Sequence, residues 1–281
     1  MLSYRHAFHA GNHADVLKHA VLVEVLAYYN QKDKPYWYVD THAGAGCYGL
    51  EGGYAAKNGE FLEGVGRLWD APPRAGVLQA YLDVVRGFNP GGALALYPGS
   101  PAVALECMRE GDRMRLFELH SSDEPLLAAL FAHETARVQI RREDGFKGLI
   151  GLLPPPSRRA VVLMDPPYEV KTDYQVVVST LAGALKRFAT GTYLVWYPLL
   201  QRPEARRLPE QLRRLGMENW LQVELTVRRP ARDGSGMHGS GLFVVNPPWS
   251  LPERLKEALP EMVKALALDE GAGFSLDWAI R

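Results

Sequence analysis

Asp165-Pro166-Pro167-Tyr168 follows the apolar run 160–164 and is the sharpest chemical signal in the chain. Tandem prolines set a rigid, extended turn and remove two backbone donors, so the carbonyls beside them remain as acceptors facing a cleft. The Asp165 carboxylate, the Pro166 carbonyl and the Tyr168 ring together suit a planar amine. The amine donates two hydrogen bonds while its base stacks on the aromatic ring. A second pair, Asn246-Pro247-Pro248-Trp249, carries an amide where the first carries an acid. Both pairs end strand-like runs, and ligands of open α/β sheets sit beyond the carboxyl ends of the parallel strands. Strand direction therefore decides which pair reaches a ligand.

Glycines supply the second signal. Gly44-Ala45-Gly46-Cys47-Tyr48-Gly49 matches G-x-G-x-x-G after a short strand, a setting in which the backbone can approach a nucleotide closely. A nicotinamide-binding fold also wants a second strand and an acid about 20 residues on. Here the next strand-terminal acid is Glu118, 72 residues beyond Gly46. Asp40 instead completes the string D-x-x-x-G-x-G, which resembles the first motif of S-adenosylmethionine-dependent methyltransferases. The D-P-P-Y string likewise resembles that of amino-methyltransferases, most often those acting on adenine N6.

Further residues fall at nucleoside positions. Glu118 ends one strand-like run, where an acid can accept both ribose hydroxyls. Asp144-Gly145 follows the next, where the carboxylate can accept from an adenine amine and the glycine admits the ring. Either acid alone is an ordinary solvated strand end; their shared position after successive strands raises the odds of a ligand. In Pro98-Gly99-Ser100-Pro101, Ser100 reads as a helix N-cap with Pro101 at the first helical position. His9, His13, His19 and His42 invite a zinc reading, but no Cys has ligand spacing and H-E-x-x-H is absent, so no metal is expected. Neither Cys47 nor Cys107 follows a proline, which disfavours a cysteine nucleophile. Residues 202–233 hold eight arginines against five acids, a balance suited to binding phosphates or to a solvated helix face.

Elements must hold these groups in place. With 281 residues, 47% hydrophobic and 23% charged, the chain can bury a sizeable core, and disorder or a disulfide scaffold is excluded. Lys plus Arg equals Asp plus Glu at 32, so no global charge argues for a polyanionic partner. The chain reads as soluble and cytoplasmic, with two cysteines and neither a secretory leader nor a membrane span. Asn12 caps an apolar-periodic helix carrying Leu17, Val21, Val25 and Tyr28. A strand over 36–39 precedes the glycine loop. Residues 52–95 show helical patterns and no convincing strand. Strand-like runs recur at 113–118, 137–140, 160–164 and 192–197, with helical segments such as 176–188 between them, so the sheet should be largely parallel. The runs 220–227 and 241–245 are joined by a link too short and too Gly-rich for a crossover helix, which makes the final pair antiparallel. That sends Asn246 to the edge away from the ligand and makes it structural. A helix over 251–266 closes the domain.

Taken together, residues 1–6, 8–19, 40–46, 97–101, 165–168 and 246–249 closely resemble the RlmJ family, the bacterial 23S rRNA adenine-N6 methyltransferases. The likeness covers essentially the whole chain. It implies an α/β, Rossmann-like methyltransferase domain over 1–51 and 96–281, a substrate and cofactor segment over 1–20, and a helical subdomain inserted at 52–95. It implies S-adenosylmethionine as methyl donor, no metal, and cofactor contacts at His19, His42, Gly44, Gly46, Ser100, Glu118, Asp144 and Gly145. Asp165 becomes the catalytic acceptor, with Pro166 and Tyr168 beside the target base, and Tyr4, His6 and Lys18 belong to the segment that holds the nucleotide. The implied partner is 23S rRNA, free or in early assembly, met by a cytoplasmic monomer. Cys47 stands where a larger residue is more usual.

Overall fold

Helix α1 (His13–Asn30) starts where its first-turn donors find partners. The Asn12 side chain accepts from the amides of Ala14 at 2.9 Å and Asp15 at 3.1 Å, and the Asp15 carboxylate accepts in return from the Gly11 amide at 2.9 Å. The structure, a computed structural model, describes residues 6–51 and 59–281. Tyr4 lies outside the described residues, and His6 opens a short 3-10 turn, His6–Phe8. α1 is buried almost all the way round, as a helix packed between a sheet and other helices must be. Its burial takes in Asp15, Lys18 and His19 as well as Leu17, Val21 and Val25.

β1 (Trp37–Asp40) is central, with β4 (Arg113–Phe117) and β6 (Ala160–Met164) parallel on either side. β5 (Val138–Arg141) extends the sheet beyond β4, and β7 (Thr192–Leu199) beyond β6, both parallel. β9 (Gly239–Val245) inserts antiparallel between β7 and β8 (Trp220–Thr226). The expected antiparallel final pair is thus present. It is followed by an unexpected strand, β10 (Gly273–Ala279), antiparallel on β8. The eight-stranded order is β10-β8-β9-β7-β6-β1-β4-β5.

Alternation along the strands sends side chains to two helical layers. Tyr38, Val161 and Leu163 join the core around α1, α3 (Gly76–Gly87), α4 (Ser100–Cys107) and α9 (Leu251–Leu266). Val39, Val162 and Met164 join that of α6 (Gly145–Leu152), α7 (Thr172–Arg187) and α8 (Pro203–Arg213). Being covered on both faces, β6 reads as a continuous apolar run. The short helix α2 (Val65–Asp70) and α3 bring Val65, Leu68, Leu78 and Tyr81 into the α1 core. Their segment is closed at its base by a small antiparallel ribbon, β2 (Cys47–Gly49) with β3 (Leu96–Pro98), which the sequence reading did not anticipate. α5 (Glu124–Leu130) bridges β4 and β5. No helix among the described residues is long and apolar enough to cross a membrane.

Candidate active site

A cavity of about 250 Å³ opens at the carboxyl ends of β1, β4, β5 and β6. Asp40, fully buried at the end of β1, orders its floor. The carboxylate accepts from Ser100 Oγ at 2.7 Å, from Tyr38 Oη at 2.8 Å and from the His42 amide at 3.1 Å. Burial raises its pKa against those bonds. Ser100 is therefore not a capping residue. Gly99 is the N-cap of α4, Ser100 is the first helical residue, and the hydroxyl is drawn away by Asp40.

The glycine loop turns where only glycine fits. Gly44 and Gly46 have φ of +62° and +81°, and a Cβ on Gly44 would lie 2.4 Å from Tyr48 Oη. At Gly145 a Cβ would lie 2.0 Å from the Thr41 carbonyl, so the start of α6 meets the β1 loop backbone to backbone. Glu118 links β4 to the same loop, accepting from the Gly44 amide at 2.7 Å and the His120 amide at 2.6 Å. A carboxylate has about four acceptor sites, so two remain for a diol in the cavity. Burial raises the Glu118 pKa. Asp144 caps α6 through Oδ1, accepting from the Phe146 and Lys147 amides. His42 also lines the cavity, edge-on to Phe146 with ring centroids 4.7 Å apart, and burial pushes it down to about 4, which keeps it neutral at physiological pH.

The sharpest electrostatic feature stands opposite. Lys18, reaching from α1, places Nζ 2.6 Å from Asp165 Oδ2 and 2.7 Å from Asp15 Oδ1, with its side chain 4% exposed. Burial opposes the charge, but the two carboxylates outweigh it and hold Lys18 above its ordinary value. The ammonium occupies Oδ2 and leaves Oδ1 of Asp165 for another donor. Asp15 was missed by the sequence reading, although an acid three residues before a lysine on one helix is a legible pairing. Leu119 and Val170, each about half exposed, give the cavity an apolar lip.

Not every expected residue reaches the cavity. Pro166 lines it, but Tyr168 does not: its φ of +51° turns the ring inward. Its hydroxyl donates to the Trp196 carbonyl at 2.7 Å, the ring packs 4.6 Å from Tyr174, and only 2% of the residue is exposed. A stacking platform at Tyr168 is therefore corrected to a packed wall behind the Asp165 turn. His19 is fully buried behind the site with Nδ1 2.8 Å from Tyr97 Oη. The other two candidate histidines go to separate places: His9 pairs with Glu60 at 3.0 Å, and His13 is half-buried at the first turn of α1. Asn246 lies at the opposite edge of the sheet. There its amide donates to the carbonyls of Ala189 at 2.8 Å and Gly191 at 2.7 Å.

The donor set fits S-adenosylmethionine: acids for a ribose and an adenine amine, and a glycine loop whose close turns a Cβ would fill. Comparison with known proteins agrees. The RsmJ family model, described as "Ribosomal RNA large subunit methyltransferase D, RlmJ", matches residues 33–280. The "Ribosomal RNA large subunit methyltransferase J" of Escherichia coli K12 is 46% identical over 280 residues, covering all of this chain and 99% of that one. Its namesake in Haemophilus influenzae is 44% identical over 99% of both chains. The crystal structure of protein LPL1258 from Legionella pneumophila superposes with a TM-score of 0.89 at 32% identity, over 96% of this chain and 98% of the other.

Proposed function

The chain belongs to the RlmJ family of large-subunit ribosomal RNA methyltransferases, and from that membership we propose that it methylates the exocyclic N6 of an adenine in 23S rRNA. The single observation that carries the proposal beyond family membership is the buried Asp15–Lys18–Asp165 chain, which presents one carboxylate oxygen to the cavity beside the Pro166 turn.

S-adenosylmethionine, when bound, supplies an electrophilic methyl group on a sulfonium. Glu118 would hold the ribose hydroxyls, Asp144 and Gly145 the adenine ring, and the Gly44–Gly46 turn, with His42, the amino-acid end. Ser100 acts at one remove through Asp40, and His19 through Tyr97.

The target N6 is a poor nucleophile, because its lone pair is delocalised into the ring. Donation to Asp165 Oδ1 and to the Pro166 carbonyl pyramidalises the nitrogen and aims it at the methyl group. Most of the rate acceleration is then positioning. Lys18 stays charged and cannot take the proton; it fixes the Asp165 carboxylate as the acceptor. Methylation makes the nitrogen strongly acidic, so the proton passes to Asp165 or to water without a specially tuned base. The base must leave its stack at a cost of a few kcal/mol. With Tyr168 buried, the lip of Leu119 and Val170 receives it, and Tyr4 and His6 keep only the nucleotide-holding role that the family resemblance implies. The reading uses no metal, and it places a monomer in the cytoplasm on free or early-assembly RNA.

Incubating the full chain with methyl-labelled S-adenosylmethionine and defined nucleic acids tests this. Label is expected as N6-methyladenine in 23S rRNA, with turnover unaffected by EDTA. Label on guanine N2, or in DNA but not RNA, overturns it.

A further inference from the structure

The arginine-rich stretch 202–233 divides in two in the structure. β9 is antiparallel to both β7 and β8, so those two run parallel and deliver their carboxyl ends to the edge where β1 and β6 deliver the cavity. The segments leaving those ends carry Arg202, Arg206 and Arg207 into the first turns of α8, and Arg228, Arg229 and Arg232 into the loop before β9. All six are exposed. Arg229 pairs with Glu270 at 2.8 Å, whereas among the described residues the other five have no carboxylate partner within 4 Å.

The first segment adjoins the site, and the second leaves the same edge of the sheet beside it. Lys171, three residues after Tyr168, pairs with Glu204 at 3.4 Å and ties the Asp165 turn to the first turn of α8. Arg228 lies within electrostatic reach of His13 on α1. Burial first, with Arg228 adding to it, pushes that imidazole down to about 4 against the pull of Glu60.

The other half of the stretch is different. Arg213 and Arg214 sit at the far end of α8, about 16 Å along its axis. Arg213 pairs with Asp277 at 3.3 Å and lies over Trp220, and Arg214 pairs with Glu210 at 2.6 Å.

We propose that the two arginine segments at the carboxyl edge, and not Arg213 or Arg214, track the phosphates of the RNA strand that flanks the target nucleotide. The inference rests on the cavity being a nucleotide site, as above. An exposed guanidinium with no carboxylate partner makes bidentate contact with a phosphate at little desolvation cost. β8 stands three strands from β6, about 14 Å across the sheet. At roughly 3.4 Å per stacked nucleotide, about four nucleotides cover that span.

The test is equilibrium binding of a 23S rRNA fragment to the full chain across a salt series, with three double variants: R202A/R207A, R228A/R232A and R213A/R214A. Each phosphate contact on single-stranded RNA contributes about 0.7 to the slope of log affinity against log salt. Each edge pair is therefore expected to lower the slope by about 1.4 and to weaken binding at least tenfold, with S-adenosylmethionine affinity unchanged. The far pair should move the slope by less than about 0.3. Equal effects from all three pairs, or none from the edge pairs, overturn the proposal. So does loss of binding to phosphatidylglycerol vesicles with RNA binding intact. Because binding is read without turnover, expected slopes in a chain that methylates no RNA support this surface and break the proposed function. Turnover on 23S rRNA with unchanged slopes overturns the surface alone.

Discussion

The molecule contains one proline-pair design twice, at 165–168 and at 246–249, and puts the copies to opposite uses. Both follow apolar strands, and each contains a non-glycine residue with φ of +51°, Tyr168 in one and Asn246 in the other. β6 runs parallel to β1 and carries Asp165 to the cavity, where Lys18 holds one oxygen. β9 runs the other way and carries Asn246 to the opposite edge, where its side chain fastens the turn between α7 and β7. The aromatic partners are inverted as well: Tyr168 is buried at 2% exposure, and Trp249 is 73% exposed. Strand direction, which a local motif does not encode, decides which pair reaches the cavity.

The contrast can be broken at either end. The largest effect belongs to Asp165→Asn, which keeps the shape and weakens the acceptor. Turnover should fall by about 10²–10⁴, with cofactor affinity within a few fold, as read by single-turnover kinetics beside calorimetric titration. Asp15→Asn comes next. It removes one of two carboxylates that hold Lys18, so kcat should fall about tenfold with KM for RNA little changed, and Asp15→Glu should recover part of the loss. A parallel fall in kcat and melting temperature, with no recovery by Glu, would reduce Asp15 to a capping residue.

Asn246→Ala removes two hydrogen bonds and leaves alanine at positive φ, a cost of about 1–2 kcal/mol in denaturant unfolding. The specific activity of the folded enzyme should stay intact. Tyr168→Phe is the smallest expected change. It loses one buried hydrogen bond, about 1 kcal/mol, and should spare turnover, whereas a large activity loss in folded protein would restore a direct role for the hydroxyl.

Much of this was legible in the sequence because it rests on local pattern. The parallel order of β1, β4, β5 and β6 follows from apolar runs alternating with helices, and the antiparallel β9 from a connection too short for a crossover. Glu118, Asp144 and Asp165, singled out because they follow strand ends, come together at one cavity. What stayed hidden depends on long-range partners. The family resemblance put Lys18 in the nucleotide-holding segment, but its bond to Asp165, 147 positions away, has no local signal. The inward turn of Tyr168 depends on the Trp196 carbonyl of the next strand. Ser100 looked like a cap because its spacing before Pro101 fits one, but the cap falls one residue earlier, at Gly99, and the Ser100 hydroxyl donates to Asp40, 60 positions away. The ribbon strands β2 and β3 are three residues each and contain Gly and Pro, too brief for an alternating signal. β10 does carry a local signal, Phe274, Leu276 and Trp278 alternating with Ser275 and Asp277, but it is a partly exposed edge strand whose pairing with β8 the pattern alone does not give.

The most direct test of the account is to map N6-methyladenine in 23S rRNA from cells lacking this chain, each complemented with wild type, Asp165→Asn or Asn246→Ala at matched protein levels. Wild type and Asn246→Ala should restore one missing methyladenine, and Asp165→Asn should leave it absent. Restoration by Asp165→Asn, or its loss with folded Asn246→Ala, would contradict the assignment of chemistry to the proline pair on the parallel strand.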